Sequence, residues 1–367
     1  MNANVQQMTR LLSKSTNTMM FSMVVVITAI ISLIVYFNSQ SSKKDANNER
    51  MLTLKEKYPS KMSSVNPTDG QSQYNLRDYY ILSSYNSCCG GDYSNDYVSR
   101  EALETVIDMG ARCLDFEIYL VDGEPVVGAS TKNSIYLKQT YNSIPFADAM
   151  QIVADKAFTD APNRRDPLIL VLRIQSNQLE TYDKMAKVLE NTLSNRMLGP
   201  EYAFESRGRD ISAKPLKEFM EKVIIAVDVS NPVYQQSKLE ELINVGANSP
   251  FLRMERSTEM IQTHDFHGLK EFNKKHMSYC MPDLASTANE HIDTKYNYGI
   301  QMVGLMFQHN DAGFEHGYSR FQGKHGFLLK PKELRFIPNT IPQPKQQDPE
   351  VSYQPKKFQA RGYSITV

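Results

Sequence analysis

Tryptophan is absent from the 367-residue chain, and cysteine is scarce, with four residues. Four cysteines in a chain of this length exclude a small scaffold stapled by disulfides. Charge excess is missing too: 41 Lys and Arg balance 41 Asp and Glu. That balance argues against a nucleic-acid partner and against a long acidic or basic tail. No Asn-x-Ser/Thr sequon lacks an intervening proline, no internal repeat is evident, and no G-x-G-x-x-G or Walker loop is present. What is there is a globular composition, 41% hydrophobic and 22% charged, with 20 Tyr and 16 Phe supplying aromatic bulk.

The longest apolar run, Met19 to Phe37, holds no charge. As a helix it spans ~28 Å, close to the hydrocarbon thickness of a bilayer. A core helix would carry a polar stripe. A cleaved signal peptide would have a shorter apolar region and a small-x-small cleavage site, which is not evident. The run therefore reads as a single-pass anchor at 19–37, after an N-terminal tail at 1–18. Arg10 and Lys14 precede it, whereas Lys43, Lys44, Arg50, Lys55 and Lys57 follow, so the soluble part is expected on the cytosolic side. Residues 38–70 are polar, with Pro59, Pro67 and Gly70, and read as a linker.

Beyond Leu76 strands and helices alternate. Strands are expected at Tyr79–Leu82, Ala111–Tyr119, Glu124–Val127, Pro167–Ile174, Val223–Val229, Tyr279–Met281 and Gln301–Phe307. Helices are expected at Ser99–Met109 with Ser99 as the cap, Pro145–Phe158, Gln178–Met197, Gln235–Ile243 and Gly268–His276. Arg320–Lys330 reads as a hairpin through Gly323 and Gly326. Repeated strand–helix units favour an α/β fold, a TIM-like (βα)8 barrel, over a doubly wound open sheet, which would want a glycine-rich switch-point loop. After Ile337 the prolines at 338, 342, 344, 349 and 355 predict a tail over 337–367 that is extended over the surface or disordered.

Six patches carry a family resemblance. Ser83-Ser84-Tyr85-Asn86-Ser87, CLDFE at Cys113–Glu117, GEPVV at Gly123–Val127 and DPLILVL at Asp166–Leu172 resemble the X half of phosphoinositide-specific phospholipase C. GIQMVGLMFQ at Gly299–Gln308 and HGFLLKPKELR at His325–Arg335 resemble its Y half. The resemblance covers Arg77 to Arg335. It implies a distorted TIM barrel with an X-like half at 71–230, a short X/Y linker at 231–249 and a Y-like half at 250–336. It leaves no room for pleckstrin-homology, EF-hand or C2 modules.

The resemblance also implies a chemistry: two histidines as general base and acid, a calcium ion, and basic residues that clamp phosphate. The two histidine positions fall on Tyr85 and on Ala129. Neither supplies an imidazole at neutral pH. Of the calcium ligands, Asn86 is kept, and the Glu-x-Asp pair appears as Asp115 and Glu117 with lengths exchanged. The fourth ligand is Arg173, which cannot ligate a cation. The phosphate clamps fall on Ala226, Asp228 and Tyr279. The expectation is a pseudoenzyme, with no cofactor predicted and with Arg173 paired to Asp115 and Glu117 at the barrel mouth. Its partners are expected to be the bilayer through 19–37, and a phosphoinositide or a protein. The rival readings are an active calcium-dependent or altered phosphodiesterase on phosphoinositides, and a membrane-tethered component of a large assembly such as a virion.

Other candidates have plainer readings. Cys88–Cys89 lacks further ligands at metal spacing and reads as two loop thiols. Cys113 and Cys280 read as core. His264, His267, His309 and His316 read as surface or loop polar groups, and Lys274, Lys275 and His276 as a solvated helix end.

Overall fold

The computed structural model describes residues 2–132, 134–204, 210–338 and 353–367. The chain divides into two units, Met1–Arg335 and Phe336–Val367.

In the larger unit eight parallel strands close on themselves. They are β1 (Tyr79–Ser84), β2 (Cys113–Val121), β5 (Leu168–Gln175), β6 (Val223–Asp228), β7 (Val245–Ala247), β8 (Leu252–Arg256), β9 (Met277–Met281) and β10 (Met302–Leu305). Closure is made where Ser83 and Ser84 of β1 pair with Cys113 and Leu114 of β2, which excludes the doubly wound sheet. Strand runs such as LILVLRI are buried on both faces, as parallel strands under a coat of helices must be. Two short strands, β3 (Glu124–Gly128) and β4 (Ile144–Pro145), extend the sheet from β2 in antiparallel sense.

Most helices form where capping and amphipathic spacing put them. Ser99 accepts a bond from the Ala102 N–H at 3.1 Å and opens α2 (Arg100–Asp108). Helices α3 (Phe146–Lys156) and α4 (Leu179–Leu193) follow, and a further helix spans Phe266–Lys275. The expected helix at 235–243 does not form. Two 3-10 turns, Pro232–Gln236 and Glu240–Leu242, replace it, because the Ser237 hydroxyl bonds the Tyr234 carbonyl and takes the Leu239 N–H. The expected X/Y linker at 231–249 also contains β7. The hairpin expected at Arg320–Lys330 is absent as well. Its last residues are β11 (Phe327–Leu329), which runs antiparallel to the start of β1.

The largest departure lies before the barrel. Residues 38–57, expected as linker, continue the helix α1 (Asn2–Lys57) without a break. Its portion Thr18–Lys57 has a stretch of mean hydropathy 2.6 that is fully exposed, long and apolar enough to cross a membrane by length and composition. Beyond that stretch, Asn47, Met51 and Leu54 are buried against the barrel unit. Their spacing of four and three residues places them on one helix face. The chain then passes beneath the barrel, where Val65 donates its N–H to Asp166 at 2.7 Å and Ser63 to the Lys324 carbonyl at 2.9 Å.

The smaller unit holds β12 (Lys357–Ala360) and β13 (Tyr363–Thr366), an antiparallel pair turning at Gly362. The tail is expected to be extended over the surface or disordered; its last residues pair into this hairpin. Residues 339–352 of that expectation, with Pro342, Pro344 and Pro349, lie outside the described residues.

Candidate functional site

Alternation along β2 puts Asp115 and Glu117 on one face of the strand. The register with β5 aligns Glu117 with Arg173, so the guanidinium enters the same face as both carboxylates. The contact is extensive. Arg173 Nε donates to Asp115 Oδ2 at 2.9 Å, and Nη2 donates to Asp115 Oδ1 at 2.8 Å and to Asn86 Oδ1 at 2.6 Å. Nη1 lies 3.3 Å from Glu117 Oε2. The pairing of Arg173 with both carboxylates that the sequence suggested is therefore present.

The surroundings lock this cluster. Asn86 adopts φ 45°, a left-handed conformation that asparagine tolerates, and its N–H donates to Asp115 Oδ1 at 3.0 Å. Ser87 Oγ accepts the Asp115 N–H at 3.0 Å. The Tyr119 hydroxyl donates to Glu117 Oε1 at 2.5 Å. Arg173 also lies over the Tyr85 ring, 4.9 Å from its centroid. Asp115, Glu117 and Arg173 have side-chain exposures of 0%, 3% and 5%. Burial opposes the charge on Arg173, but Asp115, Tyr85 and Glu117 outweigh it and hold the guanidinium well above its ordinary pKa.

Tyr85 is buried, and that burial raises its pKa against the opposing pull of Arg173 and Arg256, so the phenol stays protonated at neutral pH. Its hydroxyl accepts from Arg256 Nη1 at 2.8 Å. Arg256 donates equally to the Pro282 carbonyl at 2.8 Å. Tyr279 is buried beside it. A Cβ at Gly304 would lie 2.9 Å from the Tyr279 hydroxyl and 3.0 Å from Tyr85 Cβ, so glycine is required for the two tyrosines to fill the barrel here.

The remaining positions, Ala129, Ala226 and Asp228, carry no cationic group. Ala129 is fully buried, and its carbonyl accepts the Gln139 N–H at 3.0 Å. Ala226 is buried in β6. Asp228 takes the Ser230 N–H and the Asn248 amide, each at 3.0 Å. Asn86, Asp115, Glu117, Arg173, Tyr85 and Tyr279 thus come together, while Asp228 turns toward its own loop. Arg256, Tyr119 and Ser87 join the cluster although no motif in the sequence marks them for it. Tyr119, two residues beyond Glu117 on one strand, was findable from the strand period. Arg256 ends a strand that the sequence pattern did not reveal.

The oxygens that would hold calcium do not fit a cation: Arg173 occupies both oxygens of Asp115 and the side-chain oxygen of Asn86, and pairs with Glu117. Among the described residues no group of three or more His, Cys, Asp or Glu is placed to hold a metal. Cys88 and Cys89 are buried, and burial pushes both thiols up. Cys113 and Cys280 are buried as well, and Cys280 is raised to about 11 by burial. His264 and His267 are exposed beside the start of the helix Phe266–Lys275. His316 pairs with Asp293 at 3.0 Å, and burial lowers His309.

Comparison with known proteins gives the family. The X domain of phosphatidylinositol-specific phospholipase C matches residues 72–228, and its Y domain matches residues 234–333. No curated protein sequence matches the chain. Among solved structures, PLC21 of S. officinalis aligns at TM-score 0.60 and 17% identity, and PLC21 of L. pealei at 0.61 and 17%. Each alignment covers 74% of this chain but 39% of the other, so the likeness is one of fold over part of a longer protein. The closed parallel barrel and the two matched halves, which together span more than half of the sequence, show that the chain belongs to the phosphatidylinositol-specific phospholipase C family.

Proposed function

We propose that this protein is a membrane-anchored pseudoenzyme of the family, a barrel that binds or scaffolds and does not cleave phosphodiesters. The observation that carries the reading is the Arg173 guanidinium bonded to Asn86 and Asp115 and paired with Glu117. Cleavage of an inositol phosphodiester needs a base for the attacking hydroxyl, an acid for the leaving group and positive charge on the phosphate. A buried neutral phenol and a buried alanine supply neither proton transfer. Ala226, Asp228 and Tyr279 bring no positive charge. The centre is also closed to solvent, with Tyr85 at 1% and Tyr279 at 0% exposure.

The anchor reading rests on the apolar part of α1 and on its path. Gln40 reaches the Tyr141 hydroxyl at 3.2 Å, and the loop that bears Tyr141 meets the end of β5, where Asn177 donates to the Tyr136 hydroxyl at 3.1 Å. Farther along, Tyr58 stacks edge-on against Phe314, and the following chain reaches Asp166 below β5. The helix therefore leaves the membrane at the mouth rim and runs down the barrel wall, so the sealed mouth faces the bilayer. The basic residues after the span favour the cytosolic side.

The test is an assay of the full-length chain on phosphatidylinositol and its phosphates, with and without calcium. The expected result is no release of inositol phosphate above buffer. Calcium-dependent release overturns the reading in favour of an active phosphodiesterase. Vesicle binding without turnover assigns a lipid-binding role, and a stoichiometric protein partner without lipid binding assigns a role in a larger assembly.

A further inference from the structure

The β12–β13 hairpin is sorted by side. Phe358 pairs with Ile365 and Ala360 with Tyr363, so these four side chains share one face. Lys357 with Thr366, and Gln359 with Ser364, share the other. The apolar face is open: Phe358 is 59% exposed, Tyr363 64% and Ile365 48%. A two-stranded hairpin is at best marginal in water, so a hairpin with a clean apolar face needs something to lie against.

Charge says what that is. From Val351 to Val367 the sequence contains Lys356, Lys357 and Arg361 and no Asp or Glu. We propose that this hairpin is a second membrane contact, lying in the interface of an anionic bilayer with Phe358, Ala360, Tyr363 and Ile365 toward the acyl chains. Lys357 lies on the polar face, Lys356 pairs with Val367 at the open end of the apolar face, and Arg361 sits in the turn, so basic groups rim an aromatic apolar face, an arrangement that suits peptides to such an interface. The proposal rests on the anchor reading, because the anchor holds the hairpin at high local concentration near a bilayer. A second copy is the poorer occupant. Face-to-face pairing would gather six positive charges, and four side chains a side fall short of the roughly 1,000 Å² of a stable interface.

The absence of tryptophan makes the test direct. Phe358→Trp and Gln359→Trp each place a single tryptophan in the full-length chain, on the apolar and the polar face, in lipid nanodiscs. In anionic discs, Trp at 358 is expected to emit to the blue and to be quenched by brominated acyl chains, while Trp at 359 stays red and unquenched. In zwitterionic discs, or with Lys356, Lys357 and Arg361 changed to Glu, the blue shift and the quenching at 358 are lost. Red, unquenched emission at 358 in anionic discs overturns the proposal. So does a blue shift without bromine quenching, which would mean burial against protein. A chain that fails to enter the discs overturns the anchor reading and this proposal with it.

Discussion

Arg173 is the residue on which the account turns. A guanidinium between two carboxylates in a closed site is retained only with most of its partners in place, because each of these charges alone would bear a large desolvation cost. Arg173→Met should therefore cost about 3–5 kcal/mol of stability, as Asp115 and Glu117 are left buried and unpaired. Replacing all three, with Asp115→Asn and Glu117→Gln added, should recover most of that loss in denaturant unfolding. A second residue, Lys330, carries a pH signature. Its ammonium group donates to the Asn273 carbonyl at 2.9 Å and the Gly299 carbonyl at 3.1 Å, and burial lowers its pKa to about 7. The folded pKa lies below the ordinary lysine value, so the unfolded chain binds more protons between about pH 7 and 10. Lys330 thus makes stability rise with pH across that window and contributes no slope below it. Unfolding followed from pH 6 to 9 should show the stability of Lys330→Met falling behind the parent as pH rises, with a constant gap below pH 7. The site's losses were legible one residue at a time. Its rebuilding was less so, since Arg256 comes to Tyr85 from 171 positions away.

Among the elements, α1 departs most from its sequence reading. Polar composition after Phe37 suggested a flexible linker, but a polar helix needs only a few buried positions to dock, and Asn47, Met51 and Leu54 provide them. The dock is a close one. Asp96 is buried and accepts Asn47 Nδ2 at 2.7 Å, while Lys43 Nζ lies 3.2 Å from its other oxygen. A Cβ at Gly91 would lie 2.3 Å from Asp96 Oδ2 and 2.6 Å from Asn47 Nδ2. Gly91→Ala should destabilise the barrel unit by about 1–3 kcal/mol and open the helix between Lys43 and Lys57 to limited proteolysis. Unchanged protease resistance would remove this contact from the account. Strands β7 and β8 escaped the sequence for a different reason. At three residues β7 is too short to display a period, whereas β8, Leu-Arg-Met-Glu-Arg, does alternate, but with only two apolar residues in a charged setting.

For the whole molecule, the long apolar strands and capped helices made the barrel legible, whereas closure, the course of α1 and the terminal hairpin depend on contacts distant in sequence. On the proposed anchor reading, the path of α1 turns the barrel mouth toward the bilayer. A polarity-sensitive label at exposed Tyr136, in the loop bearing Tyr141, should report an interfacial environment in nanodiscs, while one at exposed Lys324 beneath the barrel should report water. Equal readings at both positions would contradict that orientation. We infer that the Arg173 guanidinium stands where a cation would otherwise sit among Asn86, Asp115 and Glu117. This is tested most directly by the unfolding temperature of the intact chain and of its Arg173→Glu variant across a calcium titration. The expected response is flat in the intact chain, and in the variant a saturable rise as Asn86, Asp115, Glu117 and the new carboxylate gather a cation. A saturable calcium-dependent rise in the intact chain would contradict it.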